Sequence, residues 1–145
     1  TPKEDGHIRS QKILLTWLID REELFDQVSR YVTPEDFTVE LYRKVAELLY
    51  EQHAKGELNP AQIMNYFTEE EEHRAVAALF NTRIKKLTTA GEQEKAIKET
   101  ILRVKEYSIE TATRNLDPTD IQGLQRLMNA KKAVQDLHKL HISIN

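Results

Sequence analysis

EQEKAIKETILRVKEYSIETATRNL, running from Glu92 to Leu116, contains neither proline nor glycine, and its reading decides the fold. An unbroken helix of this length rises about 1.5 Å per residue and reaches about 37 Å, more than a small helical bundle is wide. It carries two apolar lines. Ile97, Ile101, Val104 and Ser108 form a core-facing line in its first part, and Leu102, Ile109, Ala112 and Leu116 form a second that runs further along the chain. A helix with two apolar lines requires two partners. Immediately after it, Asp117 and Pro118, with Asp120 close behind, supply a cap, a helix-starting proline and a first-turn acid. The chain therefore reverses into an antiparallel helical hairpin. The acids of this DPTD segment are read as a cap rather than a metal pair, because no further ligand lies nearby.

Upstream, helical spacing recurs. Leu14, Trp17 and Leu18 share one stripe of a helix over residues 8–19. Leu24, Phe25, Val28, Tyr31 and Val32 follow at the spacing of one buried face, which predicts a second helix over 21–32. In TPEDF, Thr33 reads as an N-cap, Pro34 as a first helical residue and Glu35 and Asp36 as favourable N-terminal charges, a single turn that aims Phe37 inward. A third helix starting near Thr38 carries Leu41, Val45, Leu48 and Leu49 and stops at Gly56, which can take the left-handed cap conformation. Asn59 and Pro60 open a short helix with Ile63, Met64 and Phe67. Thr68 opens another, with a capping box to Glu71, the acids Glu69 to Glu72 on the positive end of its dipole, and Val76, Leu79 and Phe80 buried. The basic stretch from Asn81 to Gly91 is expected to hold a short helical turn before a break.

Composition agrees with an all-α chain. Of 145 residues, 39% are apolar and 31% charged, with four glycines and four prolines, which is enough apolar content for one core and too little punctuation for a turn-rich sheet. Without cysteine there is no disulfide, thiolate metal site or cysteine nucleophile, a pattern compatible with a reducing cytosol. No apolar run approaches the roughly 20 residues that span a bilayer, so the chain reads as soluble. The segment TPKEDGH looks like a polar linker, and the sequence is read as a piece of a longer protein. Residues 1–80 hold 9 Lys and Arg against 16 Asp and Glu, net −7, and residues 81–145 hold 12 against 8, net +4. Such polarity suits steering onto a charged partner.

The last helix places Leu127, Ala130, Val134, Leu137 and His141 at alternating spacings of three and four, one seam for the hairpin partner. Ile121, Leu124, Met128, Leu140, Ile142 and Ile144 are left over, and a two-helix hairpin has only one inner face. Either a partner protein covers them or the terminus folds back onto the bundle.

Signals for chemistry are sparse. His7, His53, His73, His138 and His141 give only one neighbouring pair, His138 and His141, and two ligands do not make a metal site. Glu70 and His73 match the Glu-x-x-His spacing of bundle metal sites once, where such sites need it twice. No phosphate loop, HExxH or GxSxG motif is present, so no catalytic residue, cofactor or metal is assigned. For nucleic acid the candidates are Arg83, Lys85 and Lys86, or Arg126, Lys131, Lys132 and Lys139. These bases are read as serving solubility or an oppositely charged protein, and direct DNA binding is not expected.

The segment RSQKILLTWLIDREELFDQVSRYVTPEDFTVELYRKVAELLYEQHAKGELNPAQIMNYF, Arg9 to Phe67, resembles a pattern shared by two bacterial replication modules. These are the carboxy-terminal helicase-binding domain of DnaG-type DNA primase and the amino-terminal domain of the replicative ring helicase. The shared signature is PEDF, a helix, a glycine and a short proline-started helix. LQRLMNAKKAVQDLHKLHISIN is similar to primase tails, and the long helix with its terminal hairpin also matches the primase module, of a Bacillus-like kind. The resemblance implies an all-α fold with a polar linker over 1–8, a helicase-stimulating bundle over 9–105 and a helicase-docking hairpin over 106–145. It implies a monomeric, non-catalytic cytoplasmic module of a DNA-directed RNA polymerase that recruits primase to the amino-terminal domains of the hexameric helicase and stimulates its ATPase and unwinding. The alternatives are the helicase's own collar domain or an unrelated nucleic-acid-binding bundle. On the primase reading the partner-binding residues are Ile121, Leu124, Met128, Leu137, Leu140, Ile142 and Ile144, with Arg126, Lys131 and Lys132 as rim charges. Removing residues 107–145 is then expected to abolish docking and leave the bundle folded.

Overall fold

Buried apolar spacing, more than helix propensity, sets the first third of the chain. The structure, a computed structural model, describes residues 6–81, 89–139 and 142, and among these every regular element is helical. Helix α1 (Gly6–Asp20) buries Leu14, Leu15, Trp17 and Leu18. Where the spacing predicts one helix over 21–32, the chain instead makes a 3₁₀ turn, Glu22–Leu24, and a single α-turn, α2 (Phe25–Val28). Leu24, Phe25, Val28 and Val32 are nevertheless fully buried. A segment this short has little helical stability of its own, so packing dictates the local geometry and the pattern fixes only which side chains go inside.

Helix α3 (Glu40–Ala54) buries Val45, Ala46 and Leu49 and ends at Gly56, whose φ of +76° is the left-handed cap the sequence anticipates. In α4 (Pro60–Tyr66) the Asn59 side chain accepts the Gln62 N–H at 3.1 Å, and Ile63 and Phe67 face the core. Helix α5 (Glu70–Asn81) adds Val76 and Leu79. The expected turn within Asn81 to Gly91 lies mostly outside the described residues. The Thr89 hydroxyl accepts the Glu92 N–H at 3.1 Å and opens α6 (Ala90–Arg114), and α7 (Ile121–Lys139) follows after a reversal.

The long helix is the spine. It runs antiparallel to α1: the His7 ring stacks on Tyr107 at 3.6 Å near one end, and the Arg21 guanidinium donates to Gln93 at 3.0 Å near the other. Ile97, Ile101 and Val104 enter the core as expected. Its second line meets α7, which returns along it; the Lys98 ammonium donates to the His138 carbonyl at 2.6 Å.

That return corrects one expectation. Leu137 is 1% and Ile142 2% exposed, and both belong to the same core as Leu14, Phe25 and Ile97. Of the two fates open to the terminal apolar residues, these two fold back. The core therefore does not end near residue 105, and cutting at 107 would strip side chains from it rather than release an independent hairpin.

Buried polar side chains fasten the loops to the helices. Gln11 donates from Nε2 to the Thr38 hydroxyl at 2.8 Å and accepts the Val39 N–H at 3.2 Å, tying α1 to the start of α3. Gln52 accepts the Asn59 N–H at 2.8 Å and donates to the Asn59 carbonyl at 3.1 Å, tying α3 to α4. The Tyr50 hydroxyl donates to the Val32 carbonyl at 2.6 Å. Burial, and then the charge of Asp36, push its pKa well above the usual phenol range.

Two expected outcomes follow. Leu137→Ala should destabilise the whole fold by about 2–5 kcal/mol, the range for emptying a buried leucine site, read as a single lowered denaturation midpoint; a shift under about 0.5 kcal/mol would place Leu137 outside the core. The raised Tyr50 pKa means the folded state holds its proton where the unfolded state, near pH 10, loses it. Stability should therefore fall as pH rises above about 10, and Tyr50→Phe should flatten that dependence in urea titrations at successive pH values.

Candidate functional site

Helices α6 and α7 meet at a reversal built from short-range hydrogen bonds. The Asp117 carboxylate accepts from the Thr119 N–H at 2.9 Å and the Thr119 hydroxyl at 2.8 Å, and these bonds, the backbone one first, hold its pKa below the usual carboxylate value. Asp117 thus shapes the turn. The cap of α7 is Asp120, whose side chain accepts the Gly123 N–H at 2.8 Å, a shift of three residues from the Asp117 cap read in the sequence. Gly123 leaves room for that cap. A Cβ on it would crowd the other oxygen of the Asp120 carboxylate, so that the capping side chain would have to shift, and would lie 3.0 Å from a methyl of Leu116.

From this tip α7 shows three different surfaces. Leu127 and Leu137 are buried and Ala130 and Val134 half-buried, so the expected seam is present through Leu137; His141 lies outside the described residues. On the opposite side Ile121, Leu124 and Met128 are 77%, 46% and 63% exposed. At 100° per residue these three fall within roughly 60° of arc, a continuous apolar stripe. Lys132 continues the same arc toward the carboxy terminus and Lys131 borders it; both are exposed.

Of the ten proposed docking residues, the structure groups Ile121, Leu124, Met128, Lys131 and Lys132 on one open face. Leu137 and Ile142 are corrected to core residues, because α7 returns to the bundle and both Leu137 near its end and Ile142 beyond it join the common core. Arg126 is also corrected as a rim charge of the stripe. It projects to the third surface, a cleft, where its guanidinium lies 4.0 Å from Asp120. Leu140 and Ile144 lie outside the described residues.

The cleft, about 540 Å³, separates α6 and α7 from the Thr33–Asp36 turn. Asp36 at its base is the first-turn acid the sequence places after the Thr33 cap, and it has a second role that the sequence does not announce. It is buried, at 8% exposure. Its carboxylate accepts the Ser108 hydroxyl at 2.7 Å, the Lys105 ammonium at 3.2 Å to both oxygens, and the Thr33 N–H at 2.9 Å. Lys105 is similarly enclosed, its side chain 13% exposed. Sequence carried a partial signal: Ser108 and Lys105 are polar residues where the apolar line of α6 ends, opposite a turn containing an acid.

Among the described residues no group of three or more His, Asp or Glu side chains is placed to hold a metal ion, and no helix is long and apolar enough to cross a membrane. No family model matches the chain, and neither a curated protein nor a solved structure matches it.

The buried pair and the glycine each give a test. Asp36→Ala and Lys105→Met should each cost about 3–5 kcal/mol by stranding the other charge, and the double variant should lose much less than the sum; additive losses would show the two groups to be uncoupled. Gly123→Ala should displace the Asp120 cap and cost about 1 kcal/mol or more, although alanine in a helix interior ordinarily stabilises by roughly that amount over glycine. A stabilised variant in thermal unfolding would contradict the crowding.

Proposed function

We propose that this chain is a non-catalytic docking module: the helicase-binding domain of a bacterial DnaG-type primase, recruiting that enzyme to the amino-terminal domains of the replicative ring helicase in the cytoplasm and stimulating helicase ATPase and unwinding. One observation carries the reading. Ile121, Leu124 and Met128 form an exposed apolar stripe at the free end of a hairpin in which Leu127, Leu137 and Ile142 are buried. Contiguous apolar side chains left exposed on a packed helical protein mark a protein-binding face, and methionine suits an adaptable contact. The resemblance of Arg9 to Phe67 and of the terminal segment to the primase module supplies the partner. Residues Lys131 and Lys132 then act on orientation and encounter rate, and the stripe supplies the buried anchors.

Ile121→Asp and Met128→Asp alter exposed positions, so helicity and denaturation midpoint should remain at wild-type values. Affinity for a Bacillus-type replicative helicase, measured by calorimetry, should fall more than about tenfold, equivalent to at least 1.4 kcal/mol. The unaltered domain should raise the helicase ATPase rate, and its association rate should drop as ionic strength increases through about 0.1 M, where the Debye length is about 10 Å. Absence of binding by the unaltered domain would overturn the reading; binding unaffected by both aspartates would move the contact elsewhere on the molecule.

A further inference from the structure

The hairpin has a second open face, on the other side of α7 from the stripe. The cleft runs beside α6 from Lys105 to Leu116, twelve residues and about 16 Å, three helical turns. Its volume of about 540 Å³ falls within the range of roughly 300–1,000 Å³ typical of ligand-binding clefts. Its walls carry an apolar strip, Ile109, Ala112 and Leu116 from α6 and Leu127 and Ala130 from α7, beside the polar Thr33, Ser108 and Asn115. Its charged lining is unbalanced. Glu35, Asp36, Asp117 and Asp120 supply four acids against two bases, Lys105 and Arg126, net −2. Lys105 is committed to Asp36 inside the cleft, and Arg126 stands beside Asp120. Negative charge therefore remains at the Glu35 edge and at the Asp117 tip, with apolar wall between them.

From this charge pattern we infer that the cleft is a docking groove for a basic amphipathic helical segment of a partner protein, about three turns long, with aliphatic side chains against the wall and Lys or Arg at its two acidic ends. The occupant differs in sign from one suited to the stripe, whose neighbours Lys131 and Lys132 favour acids. Side chains three and four apart would meet Ile109, Ala112 and Leu116 in turn, the manner in which grooves read a helix. The inference goes beyond the docking function proposed for the stripe and does not depend on it.

The test uses the full chain and a pair of synthetic 15-residue helical peptides with Leu on one face, one bearing Lys and Arg on its flanks and the other Glu at the same positions. In backbone amide NMR titrations the basic peptide should bind saturably and shift Lys105 to Leu116 and Gly123 to Ala130, and the acidic peptide should not. Ala112→Arg places a cation and added bulk on an exposed wall position and should weaken binding more than about tenfold. Glu35→Gln, also at an exposed position, should weaken it roughly threefold and reduce its salt dependence. Lack of saturable binding, equal binding of the two peptides, indifference to Ala112→Arg, or shifts confined to the Ile121–Met128 stripe or to Glu69–Glu72 would overturn the groove.

Discussion

The buried contact between Asp36 and Lys105 holds two otherwise separate structural decisions together. On one side is the Thr33–Asp36 turn, which directs Phe37 into the core; on the other is the point where α6 leaves the core after Val104. A buried ion pair is weak evidence of net stabilisation, since removing both charges from water costs several kcal/mol. Its consequence is directional. With Ser108 and the Thr33 N–H completing the carboxylate's hydrogen bonds, only one placement of the turn on α6 satisfies both charges, and every other placement leaves a charge stranded. The base of the cleft and the exit angle of the hairpin depend on that placement.

Helix α6 then divides its circumference among several neighbours. One arc faces α1 and the core, the next receives the Asp36 turn, and the next takes α7. This division covers Leu127, Leu137 and Ile142 without a partner protein. Leu137 on the returning α7 and Ile142 beyond its end reach the bundle, while Ile121, Leu124 and Met128 sit near the reversal and stay exposed. The resulting stripe is small, local and bordered by lysines, which suits a docking contact that adds to a fold already closed without it.

Much of this was legible in the residues. The all-α class, the length of α6, the reversal after Leu116, the glycine stop at Gly56 and the buried faces of α1, α3, α4 and α5 follow from side-chain periodicity and capping chemistry, which act over four or five residues. Of the candidate site, Ile121, Leu124, Met128, Lys131 and Lys132 share an exposed face because helical geometry alone groups them. Arg126, five residues from Ile121, falls on another side of the same helix by the same geometry.

What the sequence determined by itself was which residues prefer to be inside and where helices can start and stop. The tertiary structure alone decided which inside they share. Leu137 belongs to the two-helix seam and Ile142 is surplus to it, and only the return of α7 to the bundle placed both in the same core as Ile97 and Leu14. Residues 21–32 kept their buried pattern but surrendered a continuous helix, because a short segment takes the geometry its neighbours impose. Gln11, Asp36 and Gln52 are the clearest case. Each is polar and would be solvated by local rules, yet each is buried where its hydrogen-bond partners on another element wait, and local periodicity does not set a pairing across 7 to 72 residues.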